Sequence, residues 1–472
     1  MKIKTNKQPQ GSALLVTMLT AFIVGMALAS YLTLVSVQNQ STLRSLSWNS
    51  SVPAMEAGVE EALTALQYYG TTNLVAGGWS MNSSDGFYHK SGRLPIGNSY
   101  DGYSYDAGIK PPPLGGKDQP TIECLGYAPV PANFVTSYKG PYGMILGGLV
   151  PSYTPDVSTS KRKVRVVAVR QTPFEFAMLA KGQINLNGNN IATDSFDSTN
   201  PSYSTNGRYD ASKSRDKGDV ATNDQIVNSI NAGNADIKGH VATGPNGTVS
   251  IGPNGSIGDK TWVDQGNKGI ETGWVSDDTN VDIPDMQPPF SSGYTTPGSG
   301  KYPLVTGPSF DYVFYNSGPY RLNSFSGKVM VASNAVVTLL VDSSFSFSGQ
   351  DQITISPGAT LMVYVAAPSA SIAGNGVVNQ NGDAMAFQYY GLPSNTSLSL
   401  NGNAAFTGVI YAPNADFTLG GGGNNTYDFV GASVTKSVRM NGHFHFHYDE
   451  SIANRSKIGG YVVYSWNEIS PN

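Results

Sequence analysis

Between Lys7 and Arg44 the chain carries no formal charge, and Ser12 to Val37 is almost wholly apolar. A run of that length crosses a hydrocarbon layer about 30 Å thick as a helix. One helical membrane span is therefore the first expectation, and the remaining chain has to be organised around it. Lys2, Lys4 and Lys7 precede the span, and the positive-inside tendency keeps that end in the cytoplasm. Everything after Arg44 then lies on the other side.

A secretory signal would treat the apolar run up to Met26 as its hydrophobic core and Ala27-Leu28-Ala29 as its cleavage site, releasing a soluble chain that begins at Ser30. Against that, the apolar character continues through Tyr31, Leu32, Leu34, Val35 and Val37, longer than such a signal needs. Ala21, Gly25 and Ala29 fall four apart on one helical face, the small-xxx-small spacing that lets helix backbones approach closely in lipid. Alanine and glycine are also common in membrane helices generally, so the spacing leaves both readings open.

Past the span, helical periodicity continues. Leu43, Leu46, Met55, Val59, Leu63 and Leu66 recur three and four apart once Pro53 is allowed as a kink or restart, with Glu56, Glu60 and Glu61 on the outer side. Beyond Leu66 the composition changes: 54 Gly with only 13% charged residues points to turn-rich β structure. The net charge of -4 gives no basis for a nucleic-acid surface. The one basic cluster, Lys161-Arg162-Lys163-Val164-Arg165, reads as the solvated face of an alternating strand. Cys124 is the only cysteine, which rules out an intramolecular disulfide and leaves a buried small hydrophobe or an intermolecular cross-link.

The larger half carries a recurring phrase: an apolar residue, a small or polar one, Gly, then Asn, Gln, His or Gly. It appears at Leu186, Phe347, Ile372, Leu400, Leu419 and Met440, counting from the apolar residue. The last five positions stand 25, 28, 19 and 21 residues apart, which is how a parallel β-helix writes one coil per repeat. Each coil offers one apolar row inward and buries it only by stacking on its neighbours, while Gly and Asn take the corners. The expected fold is thus mainly β with a long N-terminal α-helix, a β-rich middle region and a right-handed parallel β-helix; a β-sandwich is the alternative. The expected divisions are 1–11, a polar leader; 12–66, the long helix; 67–172, the middle region; 173–455, the β-helix; and 456–472, a tail carrying one more strand.

Signatures of chemistry are sparse. The chain has no nucleophile-elbow, zincin or phosphate-loop string. Asp277, Asp278, Asp282 and Asp285 are the carboxylates a glycosidase would need, but they lie in a Pro-rich passage that reads as a solvated loop. Asp342, Asp351, Asp383, Asp416, Asp428 and Asp449 are scattered singly. His443, His445 and His447 alternate, and a strand puts all three imidazoles on one face, opposite Phe444 and Phe446. Residues i and i+4 of a strand stand about 7 Å apart, too far for all three to reach one ion at about 2 Å, so an exposed strand face is expected and no metal or other cofactor is assigned.

The short basic leader followed by Gly11, Ser12 and a long uncharged helix resembles a type IV prepilin leader. More narrowly it resembles the PilX-like minor pilins, whose helix runs into an Ala/Glu-rich segment like Pro53 to Leu66. The resemblance implies cleavage after Gly11 and an N-methylated Ser12. The fifth mature residue is Val16, where major pilins carry a Glu that helps pack the filament. The blocks Phe174 to Ala177, Ser346 to Gln350, Tyr364 to Gly376, Gly408 to Gly421, Asp428 to Gly442 and His447 to Glu450 together resemble the Gly-rich C-terminal domain of PilX-like proteins of Gram-negative bacteria. That family implies a non-enzymatic minor pilin or pseudopilin of a type IV pilus or type II secretion-like system. It implies partners among other pilin-like subunits and the assembly machinery, an inner-membrane location before assembly, and a cell-surface role with a carbohydrate or protein ligand. The competing class is a membrane-tethered or secreted β-helix carbohydrate-active enzyme.

Overall fold

The computed structural model describes residues 12–94, 102–112, 119–130, 159–188, 190–401, 405–420, 426–456 and 458–471. The chain is mainly β with one long helix, and it divides into two compact units: Met1–Arg170 with Tyr461–Asn472, and Gln171–Gly460.

In the first unit one helix of 58 residues runs from Ser12 to Tyr69 without a break at Pro53, about 87 Å at the usual rise per residue. Its two halves face different surroundings. No residue from Ala13 to Val37 is buried, whereas Ala54, Met55, Val59, Ala62 and Leu66 are within 2% of full burial. The second half packs on a sheet whose order follows the chain: Ser80–Asn82, Phe87–Arg93, Ser104–Lys110, Thr121–Pro129 and Thr159–Gln171, each antiparallel to the next. The strand Gly460–Ile469 completes the edge beside Thr159–Gln171. Period-two alternation turns Ile122, Cys124, Gly126 and Ala128 toward the helix together with Val164, Val166 and Ala168.

Close approach depends on two glycines. A Cβ on Gly58 would lie 2.4 Å from the Cys124 Sγ, and one on Gly126 would lie 2.5 Å from the Ser51 carbonyl oxygen. Cys124 is accordingly a buried thiol, and burial pushes its pKa up to about 12. The seating face differs from the expected one at its start: Leu46 is 60% exposed, and Ser47 is buried instead, donating to the Pro129 carbonyl at 3.0 Å. The basic cluster is not a bare solvated face either. Lys163 and Arg165 both pair with Glu123 at 2.7 Å, and Arg162 pairs with Glu468 and stacks over Trp48.

The second unit is a stack of parallel coils rather than a sandwich of antiparallel hairpins. The recurring phrase forms one row: Phe347 lies opposite Ile372, Ile372 opposite Leu400, Leu400 opposite Leu419 and Leu419 opposite Met440. Gly188, in the earliest copy, donates its backbone N–H to the Met440 carbonyl and joins the same row. At the corners Gly349 and Gly374 take φ of +58° and +69°, and a Cβ on Gly374 would lie 2.8 Å from the Gly349 carbonyl oxygen. Inside, Phe406, Phe429 and Phe446 stack from coil to coil at 4.7 and 4.2 Å between ring centroids.

The order of coils in space is not their order in the chain. The strand Met178–Ala180 pairs on one side with Val220–Thr222 and on the other with the late strand Tyr427–Met440. The winding therefore starts in the middle, runs outward to Val275–Ser276, crosses to the far end at Gly318–Phe325, and returns through later coils to the start. The crossing is made by the acidic, Pro-rich passage. It is a strap rather than a free solvated loop: Thr279 donates to Thr243, Asn223 clamps Val281 with two hydrogen bonds, Asp285 meets Lys181 and Asn414, and Tyr411 donates to the Pro284 carbonyl at 2.6 Å. The nine strand-to-strand steps of the ladder, at nearly 5 Å each, make this a crossing of roughly 43 Å.

Candidate functional site

Two features stand out from ordinary packing: the bare half of the helix and a histidine face where the two ends of the coil unit meet.

An 18-residue stretch of the helix has a mean hydropathy of 2.2 and none of it is buried, so the helix is long and apolar enough to cross a membrane. Its threonines turn their hydroxyls back onto the helix backbone. Thr17 donates to the Leu14 carbonyl at 2.9 Å, Thr20 to Thr17 at 3.0 Å and Thr33 to Ala29 at 2.6 Å. Leu14, Phe22 and Leu32 are 72%, 65% and 59% exposed. Ala21 and Gly25 are exposed and Ala29 nearly so, and nothing lies within 4 Å of a Cβ built on Gly25, leaving this small-residue face open. Gly11 lies outside the described residues, and Ser12 opens the helix.

The histidine face is built by the strand Phe444–Asp449, the last of the coils. Phe444, Phe446 and Tyr448 turn into the core, and Tyr448 donates to the Phe174 carbonyl. His445, His447 and Asp449 occupy the other face. This strand pairs on one side with Tyr427–Met440, putting Asp428 opposite His445, and on the other with Ala192–Phe196, putting Asp194 opposite His447. Residues separated by some 250 positions thus share one small surface.

His447 is 5% exposed, not on an open strand face. Its Nδ1 lies 2.6 Å from the Asp194 carboxylate, its Nε2 lies 3.4 Å from Asp428, and the Tyr209 ring stacks on it at 3.6 Å while the Tyr209 hydroxyl donates to Asp194. Burial works against the imidazolium, but the two carboxylates hold its pKa above the usual histidine value. Burial and the neighbouring His447 charge push the His445 pKa the other way, so that ring is neutral near pH 7. Asp428, held below its ordinary range by the His447 hydrogen bond, is the ionised partner of both.

The alternating histidines do not act as a trio. His445 Nδ1 lies 4.0 Å from an Asp428 carboxylate oxygen, and one ligand atom from each of Asp428, His445 and His447 lies within 4.8 Å of the others; His443 is not in this group. Asp428 and Asp194 were not singled out by their sequence context as partners of these histidines. A signal for Asp428 exists: Tyr427 and Phe429 flank it as Phe444 and Phe446 flank His445. Asp194 and Tyr209 carry no such signal.

The remaining single carboxylates are engaged separately. Asp342 pairs with Arg321, Asp383 with Arg455, and Asp416 with Lys436 and Ser437, while Asp351 accepts from the Ser348 N–H. Asp449 accepts from the backbone of Ser198 and Ser451.

Residues 313–455, the late coils, match a family described as a domain of unknown function (DUF7305). No curated protein matches the chain. Among solved structures, the competence-associated pilin ComZ from Thermus thermophilus is similar at 12% identity over 88% of this chain and 96% of that one, with a TM-score of 0.22.

Proposed function

We propose that the chain is a pilin-like subunit of the PilX-like kind, processed after Gly11 to expose Ser12, held in the inner membrane by its helix, and assembled through that helix with other pilin-like subunits by pilus machinery. The observation that carries this reading is the division of a single unbroken helix. None of residues 13–37 is buried, while Met55, Val59, Ala62 and Leu66 are packed against an antiparallel sheet. An apolar helix half that no core covers needs lipid or neighbouring helices as its solvent. On this reading the bulk of the chain is periplasmic, then surface-exposed in a pilus, and the flank of the coil unit presents a carbohydrate or protein ligand site. The role is structural or adhesive rather than enzymatic.

The test uses the chain's cysteine economy. With Cys124 buried, Gly25→Cys places the one accessible thiol on the small-residue face. Mild oxidation in membranes containing the assembly machinery is expected to yield a disulfide-linked pair with a neighbouring subunit carrying the same substitution. Ile23→Cys, on the opposite side of the helix, is expected to cross-link less. Equal cross-linking at both positions, or none at Gly25, would remove the helix-mediated assembly reading.

A further inference from the structure

We infer that Asp428, His445 and His447 form a binding site for a borderline-soft divalent cation of the Zn²⁺ type, built on two late coils beside their joint with the early ones. Three features of the geometry point to it. The first is donor chemistry: two imidazoles and one carboxylate are a set that suits zinc, and the carboxylate is supplied by the adjacent coil in register with His445, not by the same strand. This solves the spacing problem of alternating histidines on a single strand, because the third donor comes from the neighbouring strand about 5 Å away.

The second feature is distance. Donors held at about 2.0 to 2.2 Å from a tetrahedral ion stand roughly 3.3 Å apart. The His447 Nε2 to Asp428 separation is already 3.4 Å, and His445 Nδ1 stands 4.0 Å from the same carboxylate. The two groups that have to adjust, Asp428 and His445, have side chains 52% and 41% exposed, so small rotations close the set without moving the core.

The third is orientation. Metal-bound histidine commonly gives its other ring N–H to a carboxylate, which fixes the tautomer and aims the free nitrogen. His447 meets that condition: Asp194, itself 7% exposed, takes the Nδ1–H at 2.6 Å, and Tyr209 stacks on the ring and donates to the other oxygen of Asp194. Nε2 is left pointing at Asp428 and His445. The ion would displace the proton on Nε2, so binding releases protons and strengthens with rising pH. Three protein ligands leave a fourth position for water or a group from a ligand.

Asp428, His445 and His447 all lie in the late coils and Asp194 in the early ones, so the site sits where the end of the coil unit meets its beginning, with His447 held from across that joint.

The test is a titration of the full chain, purified in detergent and stripped with chelator, with ZnCl₂ by isothermal calorimetry, and with CoCl₂ by visible absorption. One equivalent is expected to bind, with Co²⁺ giving the ligand-field bands of a four-coordinate ion. Asp428→Asn and His445→Ala, both at partly exposed positions, are expected to weaken binding at least tenfold and to remove those bands; Asp194→Asn is expected to weaken it 10- to 100-fold. His443→Ala is expected to leave both readouts unchanged. Absence of binding by the parent chain, binding that survives both Asp428→Asn and His445→Ala, or binding that requires His443 would each overturn the proposal. Circular dichroism spectra of the Asp428 and His445 variants matching the parent would show that a loss of binding is not a loss of fold.

Discussion

Gly126→Ala is the sharpest probe of how the helix is seated. The added Cβ would stand 2.5 Å from the Ser51 carbonyl oxygen, 2.7 Å from the Met55 nitrogen and 2.8 Å from the Met55 Cβ. The first two are helix backbone, so no rotamer change relieves them, and ordinary contact at 3.4 Å or more requires the helix to back away by nearly 1 Å. A gap of that size forfeits a quarter to a half of the dispersion attraction at each contact it opens. Overpacking of this kind costs about 1–3 kcal/mol. Cys124, on the same strand and facing Gly58, supplies a local reporter because it is the only thiol in the chain and is fully buried. Its labelling by an aromatic disulfide reagent requires the helix to lift from the sheet. In the regime where closing is faster than labelling, the rate follows the open population, so 1–3 kcal/mol corresponds to roughly 5- to 150-fold faster labelling. Gly25→Ala, where a Cβ meets nothing within 4 Å, is the matched control and is expected to leave the rate unchanged. An unchanged rate in Gly126→Ala would refute the seating of the helix on this strand.

Other substitutions probe the remaining parts of the account. Phe429→Ala empties the middle of the Phe406, Phe429 and Phe446 stack and is expected to destabilise the coil unit by about 3–5 kcal/mol, read as a lower urea midpoint with unchanged slope. Tyr411→Phe removes the hydrogen bond to Pro284 that pins the strap; a loss of about 0.5–1.5 kcal/mol should appear as faster protease cleavage between 277 and 295, and equal cleavage would mean the strap is held elsewhere. Glu61 is placed below its ordinary pKa: burial opposes its charge, but the Lys90 ammonium and the Tyr105 hydroxyl bonded to it outweigh burial. A depressed folded-state value means its contribution is present above the unfolded value near 4.5 and is lost as pH falls through the folded one. Thermal melts of the parent are therefore expected to lose more stability below pH 4.5 than those of Glu61→Gln, and parallel pH profiles would contradict the assignment.

Much of this architecture was legible in the residues because it rests on local pattern. The uncharged run marked the bare helix half, and the Gly-containing phrase marked a row whose members from Phe347 to Met440 lie opposite one another in the coils. What escaped was non-local. No periodicity reveals that the earliest copy, at Leu186, stacks beside the last one, at Met440, because that pairing depends on where the strap delivers the chain. The strap itself read as a solvated loop since Asp and Pro are turn residues; only the clamp of Asn223 on Val281 and the reach of Tyr411 to Pro284 show it bound. Spacing alone turns Leu46 inward, but Ser47 takes that place because its hydroxyl finds the Pro129 carbonyl. The histidine alternation puts only His445 and His447 on one face of the last strand, with His447 buried and His443 ahead of the strand, and the chemistry there comes from Asp194 and Asp428, brought by two other strands.

The proposed role requires lipid to be the solvent of residues 13–37 while one face of residues 47–66 is seated on protein. Its most direct test is the intact mass of the chain recovered from cells fractionated into alkali-washed membranes and periplasmic fluid. The chain is expected in the membrane fraction, extractable only with detergent, with a mass that begins at Ser12 and includes one N-methyl group. A soluble periplasmic chain whose mass begins at Ser30 would contradict it.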